Sequence, residues 1–188
     1  MRMTNEILIA GFGGQGVLSM GKTLAYGGVL RGKEVTWLPS YGPEQRGGTS
    51  NVTVVISDER ISSPIVDTYD VVIALNQQSL TKFESRVKPG GILMYDKYGI
   101  QKKPTRTDIR VYGVDATETA NANGLQKMTG IMVLGALLSV DKILDNDAIM
   151  ESLKKTLPER YHKLLPANEK ALKIGERMTM GESCATAA

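Results

Sequence analysis

The first strand, a glycine-rich turn and the helix behind it constrain this chain most. They occupy Asn5 to Lys22, read as Asn-Glu-Ile-Leu-Ile-Ala-Gly-Phe-Gly-Gly-Gln-Gly-Val-Leu-Ser-Met-Gly-Lys. The apolar run Ile7 to Ala10 stops at glycine. Gly11, Gly13 and Gly16 then fit the pattern G-x-G-x-x-G, with Gly14 as an extra glycine. Val17, Leu18, Leu24 and Ala25 follow near a helical period. A helix that starts on bare backbone behind a strand offers its N–H groups to phosphate oxygens.

The remaining segments extend this unit into an alternating pattern. Gln15 to Leu30 reads as a helix ending near Gly32, and Val35 to Leu38 as a second strand closed by Pro39. Ser40 to Ser50 is a polar loop, and Asn51 to Ser57 alternates as a valine-rich strand. Asp58-Glu59-Arg60 predicts a hairpin turn, with Ile61 to Ile65 returning. Asp70 to Leu75 is nearly all apolar, as a strand buried on both faces must be. Gln77 to Arg86 reads as a helix capped near Asn76 or Ser79, Lys88 to Gly91 as a turn, and Ile92 to Tyr95 and Ile109 to Tyr112 as strands. Thr117 to Asn123 is a short helical or looped piece, Lys127 to Val140 a buried helix, and Asn146 to Thr156 an amphipathic one. Pro166 should kink or split a last polar helix over Glu159 to Ile174.

The expected fold is therefore α/β: a Rossmann-like, doubly wound, mostly parallel sheet with an inserted β-hairpin and a helical C-terminal part. A single domain is expected over residues 1–177, with 178–188 a disordered tail.

Three specific chemistries can be tested on these residues. A dinucleotide dehydrogenase needs an acidic residue ~20 positions on, at the end of the second strand, to hold ribose hydroxyls. That place holds Trp37, Leu38 and Pro39, and Glu34 lies at the wrong end, which disfavours NAD. Gly16-Val-Leu-Ser-Met-Gly21-Lys22-Thr23 satisfies the P-loop expression, and Asp96 ends an apolar strand as a Walker B aspartate would. A P-loop, however, begins directly after its strand, whereas here Val17, Leu18 and Met20 read as helix and carry Lys22 up it, where it is expected to be a solvated lysine. Ser40 to Thr49 is the third. It follows the second strand at the carboxyl edge, where open α/β sheets bind ligands. There Arg46, before Gly47-Gly48, could offer a guanidinium and bare amides to an anion.

Composition removes other classes. The formal net charge is +3 and aromatics make up 5% of the chain, so neither a nucleic-acid stripe nor a base-stacking platform is expected. The lone His162 and the lone Cys184 cannot build a zinc, iron–sulfur or Cys-His site. One cysteine also excludes an internal disulfide, which fits a reducing cytoplasm. No signal peptide is expected before the first strand, and no apolar run approaches the ~20 residues of a membrane span. His162 reads as a surface residue, and Met128 and Met132 as core.

Three stretches together, Ile9-Ala-Gly-Phe-Gly-Gly-Gln-Gly-Val17, Ser40-Tyr-Gly-Pro-Glu-Gln-Arg-Gly-Gly-Thr49 and Leu157-Pro-Glu-Arg-Tyr-His, resemble the gamma subunit of 2-oxoacid:ferredoxin oxidoreductases. Ala74-Leu-Asn-Gln77 fits the same group, and the resemblance runs from about Glu6 to Gly175. The Ser-Tyr-Gly-Pro-Glu-x-Arg-Gly-Gly-Thr form is most similar to the 2-oxoglutarate or 2-ketoisovalerate branch, with the 2-oxoglutarate type favoured; Gln45-Arg46-Gly-Gly also resembles the indolepyruvate branch. The resemblance implies a subunit without activity of its own, in a cytoplasmic complex that oxidatively decarboxylates a 2-oxoacid to acyl-CoA and reduces ferredoxin. It implies alpha, beta and ferredoxin-like delta partners that hold thiamine diphosphate, magnesium and an iron–sulfur cluster, and homo-oligomers when the chain is isolated. Neither nucleic acid nor membrane is an expected partner. It also implies coenzyme A binding by Gly11, Gly13, Gly14, Gln15 and Gly16 of the turn and Glu44, Gln45, Arg46, Gly47 and Gly48 of the loop. A free-standing nucleotide-binding protein and a purely structural clamp stay open as alternatives.

Overall fold

The computed structural model of the chain describes residues 4–41 and 48–179. In chain order the elements are β1 (Thr4–Phe12), α1 (Val17–Leu30), β2 (Glu34–Tyr41), β3 (Thr49–Ser57), β4 (Tyr69–Ala74), α2 (Gln77–Phe83), β5 (Val87–Asp96), β6 (Arg110–Val114), α3 (Ala116–Ala122), α4 (Thr129–Val140), α5 (Asn146–Thr156) and α6 (Leu165–Thr179). The six strands form one sheet in the order β2-β3-β1-β4-β5-β6. β3 runs antiparallel to both β2 and β1, while β1, β4, β5 and β6 pair in parallel.

Alternation along β1 separates the two faces of the sheet. Ile7 and Ile9 join the larger core with Leu24 of α1, Leu134 of α4, Ile149 of α5 and Leu172 of α6. Leu8 and Ala10 point into a smaller core with Leu80 and Phe83 of α2. The sheet is thus covered on both faces but unequally, which explains why its central strands are apolar throughout. α4 is the most apolar helix, and Met132, Val133, Leu134, Ala136 and Leu137 in it are fully buried.

The hairpin differs from expectation. The segment Ile61 to Ile65 forms no strand; β3 instead pairs back on β2, from Tyr41↔Ser50 to Glu34↔Ser57. β2 also runs through Pro39 rather than stopping before it. It is an edge strand, so a residue without an N–H costs no ladder bond on its open side. The expected turn Lys88 to Gly91 lies inside β5, where a register shift between Tyr69 and Val71 of β4 absorbs it. At the C-terminal end the chain splits at the proline, as its chemistry predicts: a 3-10 turn over Glu159–Leu164 precedes α6. Pro166 then sits in the first turn of α6, where an N–H has no intrahelical partner in any case. α6 continues to Thr179, two residues into the expected tail.

Candidate functional site: a cleft at the switch point

The strand order reverses between β1 and β4. From β1 the chain leaves through α1 toward β2; from β4 it leaves through α2 toward β5 and β6. α1 and α2 pack on opposite faces, so a crevice opens above the carboxyl ends of β1 and β4, the position where open α/β sheets take ligands.

Gln15 ties this crevice together. Its Oε1 accepts the Phe12 N–H at 2.7 Å and the Asn76 side-chain amide at 3.2 Å. Its Nε2 donates to the Leu75 carbonyl at 2.9 Å. The side chain therefore holds the glycine turn against the end of β4. Gly11 has to be glycine for this packing, since an added Cβ would stand 2.8 Å from Gln15 Oε1 and 3.2 Å from the Leu75 Cβ. Gly14 and Gly16 answer a different need. Their φ values of +100° and +80° lie in the left-handed region, with open space around both.

The cleft beside the turn has a volume of about 480 Å³. Gly14, Gln15, Gly16, Ser19 and Lys22 form one exposed rim, and Gln126 and Lys127 the other. Met20, Leu75, Ile131 and Leu153 line it lower down and are buried. Ser152 of α5 donates to the Thr23 carbonyl of α1 at 2.8 Å, which fixes the wall formed by α5. Asp96, 3% exposed, lies in the cleft at the end of β5. Its carboxylate accepts the N–H groups of Tyr98 at 3.3 Å and Thr117 at 3.2 Å, and the Thr117 hydroxyl. Its oxygens are thereby occupied at the start of α3.

The start of α1 is left open by comparison. Gly16 is its N-cap and offers no side-chain acceptor, and no acidic residue stands in its first turn. α4, whose first residues also line the cleft, has neither feature. α2 and α5 are closed by Asn76, which accepts from Ser79 N–H at 2.8 Å, and by Asp145, which accepts from Ala148 N–H at 2.6 Å. Lys22 and Lys127 stand on the rim of this cleft, and the carboxylate that lines it among the described residues, Asp96, has its oxygens occupied.

The expected site residues divide accordingly. Gly14, Gln15 and Gly16 line the cleft, whereas Gly11 lies buried behind the turn. The Gly13 N–H donates to the Gly48 carbonyl at 3.0 Å, so the loop after β2 does return to the glycine turn. Glu44, Gln45, Arg46 and Gly47 lie outside the described residues. Lys22 is a rim residue of the cleft rather than only a solvated lysine, while its place inside α1 removes the P-loop reading. Lys127, Gln126, Thr117 and Asn168 were not singled out by sequence reasoning. The polar start of an otherwise apolar helix, Gln126-Lys-Met-Thr129, was the available signal. His162 is half-buried, and its Nε2 lies 3.0 Å from the Leu157 carbonyl, so it fastens the 3-10 turn.

Comparison with known proteins follows this geometry. Residues 6–177 match the family described as pyruvate ferredoxin/flavodoxin oxidoreductase. The ketoisovalerate oxidoreductase subunit VorA of Methanothermobacter thermautotrophicus is 43% identical over 90% of this chain and 35% of its own length. The chain thus spans about a third of that relative. The 2-oxoglutarate synthase subunit KorC of Methanothermobacter marburgensis is 36% identical over 83% of this chain and 88% of its own. Among solved structures, the keto/oxoacid ferredoxin oxidoreductase gamma subunit of Geobacter sulfurreducens is 27% identical, covers 95% of this chain and 97% of its own, and superposes with a TM-score of 0.81. A 2-oxoglutarate:ferredoxin oxidoreductase from Magnetococcus marinus, solved with 2-oxoglutarate, coenzyme A and succinyl-CoA bound, shares the fold at a TM-score of 0.87. It is 24% identical, and the match covers 100% of this chain and 33% of that one. The chain belongs to the pyruvate ferredoxin/flavodoxin oxidoreductase family and has the fold and length of its gamma subunits.

Proposed function

We propose that this chain is the gamma subunit of a 2-oxoacid:ferredoxin oxidoreductase and forms the wall of a shared active site that binds coenzyme A. In such a complex a 2-oxoacid loses carbon dioxide, its acyl group passes to the coenzyme A thiol, and two electrons leave for ferredoxin. The observation that carries the reading is the open start of α1 at the switch point, flanked by Lys22 and Lys127, in a member of this family. The Magnetococcus relative, which shares the fold, binds coenzyme A, and that supports the choice of ligand.

This chain supplies binding rather than redox chemistry. Its single cysteine and single histidine cannot ligate a cluster, and among the described residues no group of three or more His, Cys, Asp or Glu could hold a metal ion. In this reading thiamine diphosphate, magnesium and the iron–sulfur cluster are held by alpha, beta and delta partners. Gly14 and Gly16 bring bare backbone to a phosphate, and Gln15 fixes the turn that presents it. The reading includes a cytoplasmic complex, on the single cysteine of the chain. Among the described residues no helix is long and apolar enough to cross a membrane.

Two 2-oxoacids have separate support. The Ser40 to Thr49 motif and near full-length agreement with KorC favour 2-oxoglutarate. The higher identity to VorA favours 2-ketoisovalerate. Purifying the complex through this chain and following coenzyme A-dependent ferredoxin reduction with 2-oxoglutarate, 2-ketoisovalerate and indolepyruvate tests both. The expected result is turnover with one of the first two, lost when this chain is omitted. A stable monomer that binds NAD or ATP and recruits no partner overturns the reading.

A further inference from the structure

Parallel neighbours in a sheet are usually joined through a helix. The connection from β5 to β6 is different: residues 97–109 return from the end of one strand to the start of the next with no helix or strand of their own. A stretch of that length is uncommon in a compact domain unless it has a role. It is also fastened. Gln77, the first residue of α2, accepts the N–H groups of Gln101 and Lys102 at 2.9 and 2.8 Å. Glu84, in the 3-10 turn behind α2, accepts those of Thr105 and Arg106 at 2.5 and 2.9 Å. Arg106 donates in turn to the carbonyls of Glu84 and Val87 and pairs with Asp108. The segment is therefore a strap laid along α2 and held at both ends, with Lys102 and Lys103 between the fastenings.

The strap and α2 gather charge. Residues 77–108 hold seven Lys and Arg against three Asp and Glu, whereas the rest of the chain holds sixteen against seventeen. The excess is not neutralised locally. Glu84 is occupied by N–H groups of the strap, and Asp108 by Arg106. Lys82, Arg86, Lys102 and Lys103 are exposed and form no ion pair among the described residues. One large apolar side chain, Tyr98, is exposed on the strap; Tyr26, Val29, Trp37 and Leu38 are exposed at the far edge of the sheet, on α1 and β2.

We infer that α2 and the strap form a docking surface for a small acidic protein, the ferredoxin that takes the electrons in the function proposed above. The inference rests on that reading. Charge complementarity names the occupant: four unpaired cations on a fastened segment steer an acidic partner over a distance of about 10 Å at 0.1 M salt. The carrier is the macromolecule in that reaction that must come and go, and such contacts are small and selected by charge. The apolar residues at the α1–β2 edge suit a permanent subunit instead. Nucleic acid would call for a stacking platform, and this face offers only Tyr98 among the described residues.

Kinetics of the assembled complex with two acceptors, a purified acidic ferredoxin and methyl viologen, test this. In the variant Lys82→Gln, Arg86→Gln, Lys102→Gln, Lys103→Gln, KM for ferredoxin should rise about 10-fold, the combined effect of four exposed, partly screened charges. Methyl viologen, which needs no protein surface, should be reduced at the wild-type rate. Raising salt from about 50 to 200 mM should raise KM for ferredoxin steeply in the wild type and little in the variant. A control, Lys154→Gln, Lys155→Gln, Lys163→Gln, Lys170→Gln, loses as much exposed charge on other elements and should leave KM unchanged. An unchanged KM in the strap variant, an equal rise in the control, or an equal loss with both acceptors overturns the assignment. Tighter binding of the wild-type complex to duplex DNA or anionic vesicles than to ferredoxin also overturns it. A wild-type complex that reduces neither acceptor with any 2-oxoacid sinks the oxidoreductase reading instead.

Discussion

The glycine turn after β1 and the crossing of α4 over α6 use the same residue for opposite reasons. Gly14 and Gly16 are glycine because the backbone there turns through positive φ, and nothing stands within 4 Å of where a Cβ would go. Gly135 of α4 and Gly175 of α6 have ordinary helical backbone but no room. A Cβ on Gly135 would overlap the Leu172 carbonyl, and one on Gly175 the Met132 carbonyl. The first pair keeps space open beside a helix start, whereas the second removes all space between two helices. The comparison separates glycine as a means of presenting backbone to a ligand from glycine as a packing residue.

Substitution at the crossing should have the largest effect on stability. Gly175→Ala forces two backbones apart, and overpacking of this kind costs about 3 kcal/mol. Urea unfolding of the full chain checks it; a loss under ~1 kcal/mol would mean that the helices can slide, and the contrast with the turn would collapse.

At the turn, Gly14→Ala meets no atom but must hold a left-handed φ, for a cost of about 1–2 kcal/mol. The fold should survive while coenzyme A affinity of the assembled complex falls. Equal losses of stability in Gly14→Ala and Gly175→Ala would break the distinction between the two sites.

Gln15→Ala sharpens it further. The substitution removes the bonds from Phe12 and Asn76 and the one to Leu75, leaving a partly exposed turn to be solvated by water. A loss of about 1–1.5 kcal/mol is expected, smaller than three buried bonds would give. Amide hydrogen exchange should accelerate at Phe12 and in the residues of the turn; protection unchanged from wild type would show that Gln15 does not fasten it.

The smallest effect belongs to a helix start built the other way. Asp145 caps α5 and pairs with Arg31 at 2.6 Å. Its hydrogen bond with Arg31 holds the Asp145 carboxyl below the ordinary value of 3.8. Asp145→Ala should cost about 1 kcal/mol near pH 7, the usual worth of an aspartate cap. A depressed carboxyl contributes stability that is fully present above its unfolded pKa and is lost as pH falls through its folded one. The difference between wild type and variant should therefore shrink below about pH 4, as measured by urea unfolding across pH. A difference that grew on acidification would contradict the ion pair.

The sequence on its own determined most of the sheet and the glycine turn that edges the cleft. Period-two apolar runs and a glycine turn are local signals; β3, β4 and β6 follow them to within two residues, and β1 to within three. The turn and the loop after β2 were already paired in the sequence, and the Gly13–Gly48 hydrogen bond joins them. Asn76 as a cap and the break before Pro166 were legible because each depends on neighbours within four positions.

Tertiary structure decided the rest. Whether β3 turned back on Ile61 to Ile65 or onto β2 depends on which edge is open, and both segments satisfied the local pattern. Lys127 and Asn168 lie about thirty and seventy residues beyond Asp96, the last strand end that lines the cleft, and only the packing of α4, α5 and α6 on one face brings them into the same cleft as Lys22. Gly135 of α4 and Gly175 of α6 carry no local signature in the sequence. That they are points of backbone contact is a property of the crossing, because no residue's own sequence neighbourhood records what will lie across from it.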